Sequence, residues 1–149
     1  VYYHMLHDRN LTLHAWGADS PATPAWQRVA LRALFPLLAR LIRFSFKIND
    51  TNFARSVARI ESTLGDANAN LADGRKSLLG GDETNYTDLA FAAFTGLWLM
   101  PNAYGGGKAD TVRIEIERCP EAMQKEVAAW KRNFPRTAAF IERLYEEQR

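Results

Sequence analysis

At 149 residues the chain is long enough for one domain that buries roughly 70% of the surface it would expose when unfolded. Its 47% hydrophobic and 24% charged content excludes a disordered or fibrous chain. The net charge is only +2, and in the first fifty residues six Arg and Lys face three Asp, an excess too small and too dispersed for a nucleic-acid surface. Cys119 is the one cysteine, which excludes a disulfide within the chain and favours a reducing, cytoplasmic setting.

Tyr2, Tyr3 and Leu6, followed by His7 and Asp8, read as the last turns of a helix rather than as a tail. The chain is therefore expected to be a fragment of a longer protein. Asn10 to Pro24 contains Gly17, Asp19, Ser20, Pro21 and Pro24, which is loop chemistry. Thr23 and Pro24 then supply a cap and a first-turn proline for a long helix reaching about Lys47. This helix is apolar enough to suggest a membrane, but Arg32, Arg40 and Arg43 would each cost roughly 2.5 to 3.5 kcal/mol at a bilayer centre. A buried or interfacial helix is the expected outcome, with no integral membrane segment. Pro36 lacks a backbone donor and is expected to kink or divide it.

Asn49, Asp50 and Thr51 are candidate caps for the next helix. Within it Phe53, Val57, Ile60, Leu64, Ala67 and Leu71 recur at alternating steps of four and three, the signature of one buried helix face. Gly74 to Gly80 ends this element. Asn85 can accept from an early N–H of the following helix while Asp88, three residues on, reaches back to the N–H of Asn85. This is the reciprocal geometry of a capping box, and it also sets negative charge at the positive end of the helix dipole. From Leu89 to Met100 the only polar side chain is Thr95, so the helix is expected to be buried all round, and Pro101 stops it.

Asn102 to Lys108, with Gly105, Gly106 and Gly107, reads as a mobile loop; no strand leads in and no Lys-Ser/Thr closes a phosphate-binding loop. Val112, Ile114 and Ile116 alternate with charged residues as a strand would, but an isolated strand has no partner in a helical chain, so extended loop is expected. Pro120 opens a helix with Met123, Val127, Trp130 and Phe134 on one side, and Pro135 ends it. A last amphipathic helix carries Ala138, Ile141, Leu144 and Tyr145 before the charged tail Glu146 to Arg149. The whole is an all-α helical bundle in a single helical domain over residues 1–149.

Few residues carry chemistry. His4, His7 and Asp8 would share a helix face, with His14 folding back, but a loop-borne third ligand is looser than zinc sites normally use, and no metal is expected. Cys119 becomes a nucleophile only if something such as a helix N-terminus lowers its pKa.

Gly80-Gly81-Asp82, a short polar turn, Asn85 with Asp88, then Leu89-Ala90-Phe91-Ala92-Ala93 resembles the helical C-terminal domain of the cytosolic glutathione transferases. Ala129-Trp130-Lys131-Arg132 and Pro135-Arg136-Thr137 are similar to that family's last helix pair. The resemblance implies that Asn85 and Asp88 serve folding rather than chemistry. It implies glutathione as cosubstrate of a two-domain homodimer, with the thiol-activating residue in a thioredoxin-like domain outside this chain, so no catalytic residue is expected here. This domain would supply one wall of the pocket for a hydrophobic small-molecule electrophile, from Tyr2, Tyr3, Leu6, His7 and Tyr104. The alternative is a noncatalytic helical protein-interaction module of the same fold, whose apolar helix from Ala25 to Lys47 docks a partner.

Overall fold

The computed structural model describes residues 1–105 and 107–147, so Gly106 of the glycine run and the last two residues of the charged tail lie outside the described residues. Seven α-helices run along the described chain: α1 (Tyr2–Met5), α2 (Arg9–Ala15), α3 (Ala25–Ser45), α4 (Asp50–Asn70), α5 (Tyr86–Leu99), α6 (Glu121–Asn133) and α7 (Pro135–Glu147). The chain is all-α, with no strand among the described residues. It groups into two compact units, one of Val1–Arg55 with Gly105–Gln124, the other of Ser56–Tyr104 with Lys125–Arg149.

In the first unit, α2 is a helix where loop chemistry was expected. Asp8 is its N-cap, in extended backbone, and its side chain accepts from the Leu11 amide at 3.0 Å. Leu11, Thr12 and Leu13 are buried, and tertiary burial outweighs the Gly and Pro signals that follow. The loop proper begins after Ala15, where Gly17 adopts a left-handed φ of 78°.

Helix α3 begins one residue later than expected. Pro24 is its N-cap and Thr23 makes no capping bond. Pro36 lies inside it and does not divide it. An internal proline orphans the carbonyl four residues earlier, here that of Arg32. That carbonyl accepts instead from the Arg9 guanidinium at 2.9 Å. Leu31, Phe35, Ala39 and Ile42 turn one face of α3 onto a core with Leu6, Leu13 and Ala18. The opposite face is bare: Trp26 is 69% exposed and Phe44 81%, with Val29, Leu37 and Leu41 also exposed between them.

The segment with alternating Val112, Ile114 and Ile116 forms no strand. It is a short irregular stretch between 3₁₀ turns at Gly107–Val112 and Ile116–Arg118, tied to the end of α2 by His14 Nε2 at 3.0 Å from the Arg113 carbonyl. Ser20 Oγ donates to Thr111 Oγ1 at 3.2 Å beside it. Cys119 is buried, and its thiol reaches the Glu115 carbonyl at 3.6 Å. Burial, together with the nearby Glu117 and Asp8 carboxylates, pushes that thiol up to about 11, the opposite of an activated nucleophile. Iodoacetamide at pH 8 is therefore expected to label the native protein far more slowly than the urea-unfolded one. Equal rates would show that the thiol is open. Because its folded pKa lies above the ordinary 9, the neutral thiol favours the fold fully below pH 9, and that contribution disappears as pH rises from 9 through about 11.

In the second unit the expected stripe is the core. Leu64, Ala67 and Leu71 are buried with Leu99, Trp130, Phe140, Ile141 and Leu144. Asn49 caps α4 by accepting from the Asn52 amide at 2.9 Å. The Trp130 indole donates to Glu61 Oε1 at 3.3 Å, and Thr137 Oγ1 donates to the Leu64 carbonyl at 2.9 Å. Pro135 is the first residue of α7 as well as the stop of α6, since a proline at a first helical position gives up only an orphan N–H.

Helix α5 carries the capping box expected for it. Asn85 Oδ1 accepts from the amides of Thr87 and Asp88 at 2.8 and 3.2 Å, and Asp88 Oδ2 accepts from the Asn85 amide at 3.0 Å. Its burial differs from expectation. Ala92, Thr95, Gly96 and Leu99 line the face against α7, whereas Phe94 is 76% exposed and Tyr86, Leu89 and Leu97 are exposed with it. One side of this all-apolar helix joins the core with Leu64, Leu71 and Ile141, and the other side stays exposed. The contact is close because position 96 is glycine: a Cβ there would stand 2.8 and 2.9 Å from ring carbons of Tyr145.

Candidate functional site

The residues expected to wall an electrophile pocket fall into three settings. At α1, the Tyr3 ring stacks on Phe53 with centroids 3.9 Å apart and planes 9° from parallel, and its hydroxyl donates to Asp50 Oδ1 at 2.8 Å. The His4 and His7 rings stand edge-on to Tyr3 at 5.3 and 6.3 Å. An Arg43 guanidinium nitrogen lies 3.3 Å from His7 Nδ1. Guanidinium has no acceptor, so Nδ1 receives that bond and the ring proton of neutral His7 sits on Nε2. Tyr2 points outward, 42% exposed. Tyr3, His4, His7 and Phe53 together make an aromatic ledge.

Leu6 lies differently. It is buried in the core of α2 and α3 with Leu13, Phe35 and Ala39. Tyr104 belongs to the second unit, where its ring centroid is 6.0 Å from that of Tyr145. The structure thus brings Tyr3 and His7 together, leaves Tyr2 exposed and buries Leu6, while Tyr104 belongs to the other unit. Asp8, which shares the sequence pattern of the histidines, is committed to capping α2. Among the described residues no three His, Cys, Asp or Glu are gathered as a metal site.

Asn85 and Asp88 form part of a larger polar knot than their spacing revealed. Asp88 Oδ1 also accepts from the Leu78 amide at 2.8 Å, and Asn85 Nδ2 donates to Ser77 Oγ at 2.7 Å. Ser77 and Asp88 are both fully buried. The carboxylate therefore ties the glycine turn, where Gly80 and Gly81 have φ of 93° and 89°, to the start of α5. All its observed contacts are structural. Sequence reading missed Ser77, because its partner is eight residues away and no helical spacing connects them.

The described residues of the second unit form concavities on both sides of α7 residues. An apolar cleft of about 160 Å³ is lined by Leu89, Ala92, Ala93, Leu144 and Tyr145, between α5 and α7. A second, of about 320 Å³, is lined by Leu71, Gly74, Arg75, Lys76, Arg136, Ala139, Phe140 and Arg143. Its signal was present but unread: Arg136, Ala139, Phe140 and Arg143 fall at i, i+3, i+4 and i+7, one face of α7. No helix among the described residues is long and apolar enough to cross a membrane. The chain matches no protein-family model, no curated protein and no solved structure.

Proposed function

We propose that this chain is the electrophile-selecting helical domain of a glutathione transferase. In that reaction the glutathione thiolate attacks an electrophilic carbon, a carbon–sulfur bond forms, and the leaving group departs with its electron pair or the added electrons are protonated. On this reading the groups that bind glutathione and activate its thiol belong to a thioredoxin-like domain outside this chain. The observation that carries the reading is the buried capping box of Asn85 and Asp88, closed onto a Gly-Gly turn, because that local device bears the resemblance. The aromatic ledge of Tyr3, His7 and Phe53, with the exposed Tyr2 next to Tyr3 in the chain, supports it as a surface suited to a flat apolar substrate. The exposed apolar face of α3 is suited to cover by a second domain or by the second copy of a cytoplasmic homodimer.

The test is glutathione conjugation of 1-chloro-2,4-dinitrobenzene by the 149-residue chain and by the natively expressed protein. The chain alone is expected to be inactive and the native protein active. Turnover by the chain alone would place the chemistry in residues described above as structural, and an inactive native protein would remove the transferase reading. A second reading is then favoured by one observation, the bare face of α3: a noncatalytic helical interaction module that docks a partner there. Fold by itself does not choose between the two.

A further inference from the structure

The concavity of about 320 Å³ beside α7 combines an apolar floor with a surplus of positive charge. Leu71, Ala139 and Phe140 form the floor, and Arg75, Lys76, Arg136 and Arg143 surround it. Two of the four cations are held in place by acids. Asp73 grips the Arg75 side chain through both oxygens at 2.6 to 3.0 Å, and Arg143 donates to Glu147 at 3.2 Å. Arg143 is further fixed by its bond to the Lys76 carbonyl at 2.7 Å and by lying 5.4 Å over the Phe140 ring. The other two, the Lys76 ammonium and the Arg136 guanidinium, have no carboxylate partner among the described residues. Unneutralised like charges on one small concavity repel, and a bound anion would relieve that repulsion.

We propose that this pocket binds an amphipathic organic anion, a single carboxylate head on a short apolar body. The head pairs with Lys76 and Arg136, and the body lies on Leu71 and Phe140 between the anchored Arg75 and Arg143. A volume of about 320 Å³ admits a body the size of a medium acyl chain or one aromatic ring. Fixed guanidinium walls make the site pre-shaped, so little ordering cost opposes binding. The charge on the Arg75 wall is steady with pH, since Asp73, held down to about 2 by that guanidinium, stays ionised above that value. The pocket shares no residue with the aromatic ledge, and the inference does not depend on the glutathione reading.

Sodium octanoate is the probe, with octanol as its neutral counterpart and inorganic phosphate as a head without a body. Binding to the full chain is followed by calorimetry and by backbone amide shifts. Octanoate is expected to bind saturably, to shift amides at Leu71, Gly74 and Ala139, and to bind at least about tenfold more tightly than either octanol or phosphate, as expected where charge-assisted bonds and apolar contact both contribute. K76Q with R136Q should weaken octanoate about tenfold or more while leaving the urea midpoint unchanged, because neither side chain has an ion-pair partner among the described residues. Equal binding of octanol or phosphate, shifts elsewhere such as on α3, or undiminished octanoate binding by the double variant would each overturn the proposal.

Discussion

Asp88→Ala is expected to lower stability by about 3 to 4 kcal/mol, more than the roughly 0.5 to 2 kcal/mol of an ordinary helix cap. The excess has a specific source. The carboxylate is fully buried and accepts from two backbone amides, Leu78 at 2.8 Å and Asn85 at 3.0 Å, and alanine strands both. Each hydrogen bond to a charged group is worth about 1.5 to 3 kcal/mol, and the two losses overlap because one side chain serves both. Asp88→Asn retains one acceptor oxygen and turns its amide donor toward an N–H, so it should cost about half as much. Asn85→Ala removes the bonds to Thr87, Asp88 and Ser77, and should fall between them. The measurement is the urea midpoint with its slope. A midpoint for Asp88→Ala within error of the parent would mean that the knot does not exist in solution.

Leu64→Ala is expected to cost about 3 to 4 kcal/mol at an unchanged denaturant slope. Leu64 is 0% exposed and stands where α4 meets the core residues of α6 and α7, among them Trp130, Phe140 and Ile141. Removing its branched end opens a void there. Collapse is opposed by the Leu64 carbonyl, which the buried Thr137 hydroxyl holds at 2.9 Å, and by Asn68 Oδ1, which accepts from the Arg136 amide at 2.9 Å. Leu64→Met keeps most of the volume and should cost less than about 1.5 kcal/mol. Val57→Ala, higher on the same stripe and only half-buried, should cost clearly less than Leu64→Ala. A Leu64→Ala loss below about 1 kcal/mol would show that this stripe is not the core.

The elements that were legible in the chain are those whose causes lie within one or two turns. The capping box needs only Asn85 and Asp88 three residues apart, and the α4 stripe needs only a repeat of three and four. Both readings hold in the structure because tertiary contacts reinforce what the local sequence already prefers. The stop at Pro101 is of the same kind, with Met100 left-handed at φ 45° before it. Pro36 and Asn10 to Ala15 are the opposite case. The Pro36 site is carried by the Arg9 guanidinium, 23 residues from the carbonyl it satisfies, and α2 exists because Leu11 and Leu13 find a buried place. No window of a helical period contains those partners.

The candidate sites divide in the same way. Tyr3 and His7, four residues apart, stay together, while Leu6 between them is drawn inward by the core of α2 and α3. Helix α5 was apolar on every side by sequence, yet which side is covered was decided by Gly96, whose missing side chain admits Tyr145. The pocket cations on α7 were periodic in the sequence, but only folding set Arg75 and Lys76 beside them. By itself the sequence determined an all-helical chain, the start of α5 and the buried face of α4, because hydrogen-bond reach and helical period act over three or four residues. The tertiary structure alone decided which apolar faces are covered and which charges meet, because burial and charge are settled by neighbours in space, here as many as 99 residues away along the chain.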